Sequence, residues 1–228
     1  MRVPAAVTTA PRALRITAGV VVGLIAFLLA TLGSCGASSG HSSLVDDAGH
    51  RATIDGRAAA TSLAIPAVTL RTPFGNPYKL RARTAGKVTL VYFGYTSCPD
   101  VCPTTMADIS VALSDLPLAV RSRVNVVFIT TDPERDLGTV LYAWIVGIDR
   151  TFIALRGTPD QVRAAARDLD VNPGVPKRSD AGRYTVSHGT TVTAFGADGH
   201  ALATYPAPTT IPEWSHDLPI LVRAGTVA

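Results

Sequence analysis

Acidic side chains are absent from the first 45 residues of this 228-residue chain; Asp46 is the first. The same stretch carries Arg2, Arg12 and Arg15, then an uncharged apolar run from Ile16 to Leu32. A basic start, an apolar middle and no acidic residue is the layout of a secretory signal. Cysteine is scarce, with only Cys35, Cys98 and Cys102. So few thiols exclude a disulfide framework, and each sulfur has to be explained singly. A strong excess of charge is also lacking. Without the three early arginines, the 21 basic residues fall to 18 against 17 acidic ones, a net of +1. The sequence pI near 9.2 therefore owes much to the targeting segment. Neither a nucleic-acid surface nor a polybasic membrane patch is indicated. There are no internal repeats, and at 47% apolar content the rest of the chain can bury one good core.

The run from Ile16 to Leu32 is long enough for a short membrane span, so the residues just after it decide its meaning. The four residues "LGSC", ending at Cys35, resemble the lipobox of bacterial lipoproteins, in which the cysteine is acylated and becomes the first residue of the mature chain. The resemblance implies a signal peptide over 1–34 and a lipid anchor at Cys35. The alternative is a plain signal or an uncleaved anchor with an incidental cysteine. Either way the folded part is expected outside the cytoplasm and close to a membrane, where disulfides can persist, and the lipid anchor implies the extracytoplasmic face of the cell membrane. Residues 35–63, rich in Gly, Ser and Ala without a sustained apolar period, read as a flexible tether.

From residue 64 to 228 short apolar runs alternate with helical stretches. "PAVTLRT" and "PYKLRA" are expected to pair around Gly75 and Asn76, and "KVTLVYFGY" has the near-continuous apolar pattern of a central strand. Val101 to Leu116 carries Met106, Ile109, Leu113 and Leu116 at helical spacing, with Asp100 available as the cap. "VNVVFIT" is a second buried strand. Helices come next over 137–148 and 159–169, separated by a short apolar "TFIAL". "TTVTAFGADGHALATY" is a hairpin turning at Asp198-Gly199, and "TIPEWSHDLPILVRAG" closes as a helix. This order predicts an α/β, thioredoxin-like fold, a central mixed sheet flanked by helices with an N-terminal β-hairpin.

In "VYFGYTSCPDVCPTTM" Cys98 and Cys102 lie four apart where a strand gives way to a helix, so both sulfurs can face one side. Free N–H groups and the positive end of the helix dipole favour thiolate there, the form that exchanges disulfides and binds metal. The pair can close as a redox disulfide or chelate a soft ion. As an inert staple it would constrain only a short loop and stabilise little.

"FGYTSCPDVCP", then "TTDPERD" and "YTVSHGTTVTAFGADG", are similar in content and order to the Sco/SenC family, thioredoxin-fold copper proteins that help assemble the dinuclear copper site of cytochrome c oxidase. The resemblance spans roughly residues 64 to 225. It implies a copper site made by Cys98, Cys102 and His188, the histidine that matches the family's third ligand. Two thiolates and an imidazole suit Cu(I) and can also hold Cu(II). The implied partners are the copper-bearing subunit of the oxidase and a thiol reductase. Ser187 stands where the family often has an acidic residue, and Gly189 where a small polar one is frequent, which bears on how the imidazole is oriented.

Asp132, in "TTDPERD", falls at the end of the second buried strand. It is read either as the cap of the next turn or as a group supporting the copper ligands. Tyr95 and Tyr184 border the site or simply pack. His41 and His50 belong to the tether, His200 to a hairpin tip, His216 to the last helix, and Met106 to the core stripe. Three functions compete. The first is a copper metallochaperone rather than an enzyme. The second is a thiol–disulfide oxidoreductase that keeps the oxidase cysteines reduced. The third is a peroxidase of the peroxiredoxin kind, disfavoured because "YTS" replaces the threonine and proline those enzymes place before their cysteine.

Overall fold

The structure, a computed structural model, describes residues 42–46, 48–60, 62–172, 175–178, 184–187 and 189–225. Its centre is a six-stranded mixed sheet in the order β3-β12-β11-β6-β7-β8. Here β3 is Arg57–Ala58, β6 Val88–Gly94, β7 Val124–Thr130, β8 Ile153–Leu155, β11 Thr191–Phe195 and β12 Ala201–Pro206. Strands β6, β7 and β8 are parallel, and β11, β12 and β3 continue the sheet antiparallel.

Every residue of β6 is buried because the sheet is covered on both faces. Leu90 and Tyr92 face a layer built from α2 (Val101–Ser114), α4 (Gly138–Ile148) and α6 (Ile211–Ala224), which supply Met106, Ile109, Leu141, Trp214 and Leu218. Val91 and Phe93 face the opposite layer. There α5 (Pro159–Arg167), the short α1 (Leu80–Thr84) and the hairpin of β4 (Thr69–Arg71) and β5 (Pro77–Lys79) supply Leu70, Tyr78, Leu80, Val162 and Ala166. The period-two alternation of one strand thus divides the core into two layers. A four-residue helix, α3 (Leu118–Arg121), leads into β7.

The expected central strands, the helices at 101, 137 and 159, the closing helix and the hairpin at Asp198-Gly199 are all present. "PYKLRA" is divided: Pro77–Lys79 is strand, and the chain turns helical at Leu80. Within "VNPGVPKRSDAGRYTVSHG", β9 (Val175–Arg178) and β10 (Tyr184–Ser187) form an antiparallel ribbon.

The larger correction concerns the tether. Within 35–63, strands β1 (Ser42–Val45) and β2 (Arg51–Ile54) form a hairpin, and β3 adds the outermost strand of the main sheet. Ile54 is fully buried in the α2–α4–α6 layer. The fastening is a buried carboxylate. Asp217 of α6 accepts hydrogen bonds from the backbone N–H of Asp55 (2.9 Å) and Gly56 (3.0 Å) and from the hydroxyl of Tyr205 (2.9 Å). Gly56 is required there, since a Cβ would lie 2.5 Å from the Tyr205 ring. Composition cannot reveal a segment fastened by a residue 161 positions away.

Replacing Asp217 leaves two amide donors and a phenol buried without an acceptor. Asp217→Ala is expected to cost about 2–4 kcal/mol and to raise amide exchange selectively across residues 51–58. Unchanged protection there, measured by hydrogen exchange with mass spectrometry, would show that the carboxylate does not fasten this segment.

Candidate metal centre

The loop of residues 95–100 links the C-terminal end of β6 to α2, at the edge of a parallel sheet where ligand sites gather. The Cys98 amide donates to the Tyr95 carbonyl at 3.2 Å, and the Cys102 amide donates to Cys98 Sγ at 3.5 Å. Asp100 occupies the cap position as expected, but its side chain makes no cap bond. A sulfur takes that part instead: the free N–H in the first turn of α2 points at Cys98, an orientation that stabilises negative charge on it.

Neither cysteine is in a disulfide, and both are buried, Cys98 at 8% exposure and Cys102 at 0%. Burial pushes the Cys102 thiol up to about 12; hydrogen bonds from the Tyr92 hydroxyl and the Tyr95 backbone oppose the shift, and the neighbouring Cys98 thiol adds to it. The Tyr92 hydroxyl, 3.5 Å from Cys102 Sγ, is likewise pushed up, by burial first and then by Cys102. Gly94, the last residue of β6, makes the space. A Cβ on it would lie 2.8 Å from the Phe128 ring and 2.9 Å from Cys102 Sγ.

The loop is held from β7. Thr131 donates its N–H (2.7 Å) and its hydroxyl (3.1 Å) to the Gly94 carbonyl. The fully buried carboxylate of Asp136 accepts from the Thr96 amide (3.0 Å) and from the hydroxyls of Thr96 and Thr130. Burial raises the Asp136 carboxyl, and its threonine donors act the other way. Asp132 forms an ion pair with Arg135 in the turn after β7, and its carbonyl accepts from the amides of Arg135 and Asp136. Within "TTDPERD" the second aspartate thus grips the cysteine loop. The readable signal was a pair of aspartates four apart directly after a buried strand.

His188, Cys35 and His41 lie outside the described residues. Beyond His188, the Gly189 amide donates to the Asn172 carbonyl (2.8 Å), and the Thr190 carbonyl accepts from the Ala207 amide (3.1 Å). Thr190 and Pro208 form one wall of a cleft of about 350 Å³, and Val101, Thr104, Thr105 and Asp108 of α2 form the other. The chain directly after His188 therefore runs beside the helix that carries Cys102. Tyr95 is packed in the core, as is Met106; the side chain of Tyr184 lies outside the described residues. His50 pairs with Asp46, His200 with Asp198, and His216 with Asp55 and Asp217. Among the described residues, Asp55, His216 and Asp217 also bring ligand atoms within 4.8 Å of one another, but Asp217 is occupied in fastening residues 55 and 56.

A dithiol at the junction of a central strand and a helix, on a mixed sheet covered on both faces, defines a thioredoxin-fold thiol protein. Two adjacent sulfurs, one against a helix N–H, form a soft donor set that fits copper. Residues 70–222 match the SCO1/SenC family, and the chain belongs to it. A putative copper-binding protein of Stutzerimonas stutzeri is 32% identical over 145 residues, covering 64% of this chain and 70% of that one. The apo Sco1 protein of Thermus thermophilus superposes with a TM-score of 0.65 at 30% identity, covering 74% of this chain and 97% of that one. Yeast Sco1 with copper bound gives 0.61 at 25% identity, covering 71% and 87%. The chain spans less than half the length of the mitochondrial SCO proteins it matches, 39% in the case of yeast SCO1.

Gly94→Ala tests the geometry. The added methyl must displace Cys102 Sγ or the Phe128 ring, at a cost of about 1–3 kcal/mol, and is expected to raise the reactivity of Cys102 toward a thiol reagent. Stability and thiol reactivity both equal to wild type would show that the pocket is looser than described.

Proposed function

We propose that this chain is a copper metallochaperone held at the extracytoplasmic face of the cell membrane. It takes up one copper through Cys98, Cys102 and His188 and passes it by ligand exchange to the copper-bearing subunit of cytochrome c oxidase. The observation that carries the reading is the pair of adjacent thiols, not joined in a disulfide, with the Cys102 amide directed at Cys98 Sγ. A thiolate pair binds a soft monovalent ion strongly, and an imidazole as third ligand extends the site to Cu(II). Support for His188 comes from the chain after it, since Thr190 faces the first turns of α2 across the cleft. Support for copper comes from relatives, one named as a copper-binding protein and one solved with copper bound.

Asp136 has a defined part in this scheme. By tying Thr96 to the end of β7 it fixes the loop that carries Cys98, so the sulfurs are already placed before the metal arrives. The second reading, a thiol–disulfide oxidoreductase acting on the acceptor's cysteines, is favoured by the same contact between the two thiols. His188 separates the two: a carrier needs it, and a dithiol reductant does not.

Metal analysis and titration of the reduced full chain are expected to show one copper per molecule. Cys98→Ser should abolish stoichiometric binding, and His188→Ala should weaken Cu(II) binding at least tenfold while dithiol oxidation survives. Full copper binding by Cys98→Ser would overturn the site. Cys35→Ala is expected to shift the protein out of the membrane fraction or stall its processing. Unchanged membrane retention, with no lipid found on the wild-type chain by mass spectrometry, would favour an uncleaved anchor.

A further inference from the structure

Tyr92 lies two residues before Gly94 on β6, on the face turned to α2, and is fully buried. Its hydroxyl donates to Cys102 Sγ at 3.5 Å. A phenol has a single proton, and here it is directed at sulfur. The ring cannot move off easily. It packs against Phe128, with centroids 6.2 Å apart, and at Gly94 the ring, the sulfur and the backbone meet without a side chain between them.

The two sulfurs are therefore not equivalent. Backbone donors, which every residue type but proline would supply, serve both Cys98 and Cys102, but Cys102 also receives a phenol that the sequence specifically encodes. A hydrogen bond to a metal-bound thiolate withdraws electron density from sulfur. That weakens the donation on which Cu(II) depends more than Cu(I) does, and so raises the potential of the bound ion.

We propose that Tyr92 is a positioning residue for the copper site: its hydroxyl fixes Cys102 Sγ and biases the bound copper toward Cu(I). The inference rests on the copper-carrier reading above. It explains why a phenol stands at a position where phenylalanine would fill the same space without a polar group to satisfy.

The test is electrochemical and spectroscopic, on the full chain reconstituted with copper in detergent. Tyr92→Phe keeps the ring and removes one oxygen. It is expected to retain one copper but to shift relative affinity three- to tenfold toward Cu(II), the tenfold end being a potential lower by about 59 mV for one electron. The sulfur-to-Cu(II) charge-transfer band should move to lower energy. Fluorotyrosine introduced at position 92, a stronger donor than tyrosine, should shift both readouts the opposite way, and it carries the test alone should Tyr92→Phe fail to fold. A role confined to packing would move neither potential nor band. Copper-loaded variants matching wild type in both therefore overturn the inference while leaving the carrier reading intact; wild-type protein that binds no copper overturns the carrier reading and this inference with it.

Discussion

Two thiols buried side by side are an unfavourable arrangement if they are to ionise, and much of the structure near them answers that constraint. Cys102 has no solvent to stabilise a thiolate, so its ordinary state is the neutral thiol. What the protein supplies instead is a small set of fixed donors: the Cys102 amide toward Cys98 and the Tyr92 hydroxyl toward Cys102. In a low-dielectric interior such donors are worth more than in water, and they need no reorganisation when charge develops on sulfur. A cation arriving between the sulfurs provides the remaining charge compensation. The thiols can thus be inert while empty and strong ligands once a soft ion is present.

Holding that arrangement takes support from outside the loop. Asp136 ties Thr96 to Thr130, and Thr131 ties the end of β6 to the start of the next turn. These bonds run between adjacent parallel strands at their C-terminal ends, where the backbone leaves the ladder and its amides need new partners. One carboxylate with three donors meets that need and fixes the position of Cys98 at the same time. Asp132 pairs with Arg135 in the turn that follows β7.

Local pattern revealed the core elements because their signals are local. Seven consecutive buried residues in β6, the helical spacing of Met106, Ile109 and Leu113, and a left-handed Gly199 after Asp198 each depend on neighbours in the chain. The cysteine pair was legible for the same reason. Residues 42–58 were not, because their order depends on Asp217 and on the space that Gly56 leaves for Tyr205. The Asp100 side-chain cap failed for a different reason: a sulfur, which a rule built on oxygen acceptors does not consider, already faced the free amide. Tyr92 passed as one more apolar residue in a central strand, since nothing in its spacing distinguishes a phenol facing sulfur from one facing packing.

The folded start at Ser42 also bears on how a lipid-anchored carrier would work. On the Cys35 reading, six residues lie between the acylated cysteine and β1, against nearly thirty if the whole of 35–63 were a free tether. At no more than about 3.6 Å per residue, the seven steps from Cys35 to Ser42 reach at most about 25 Å, less than the diameter of a domain of this size. Such a carrier would stay close to the bilayer surface and would search for its acceptor mainly by lateral movement in the membrane. A pull on the anchor would reach first the β1–β2 hairpin and then residues 55 and 56, which Asp217 fastens to α6 just before the outermost strand β3. The dithiol, at the end of central strand β6, sits three strands further in, with a paired neighbour on each side of that strand and a packed layer above and below it.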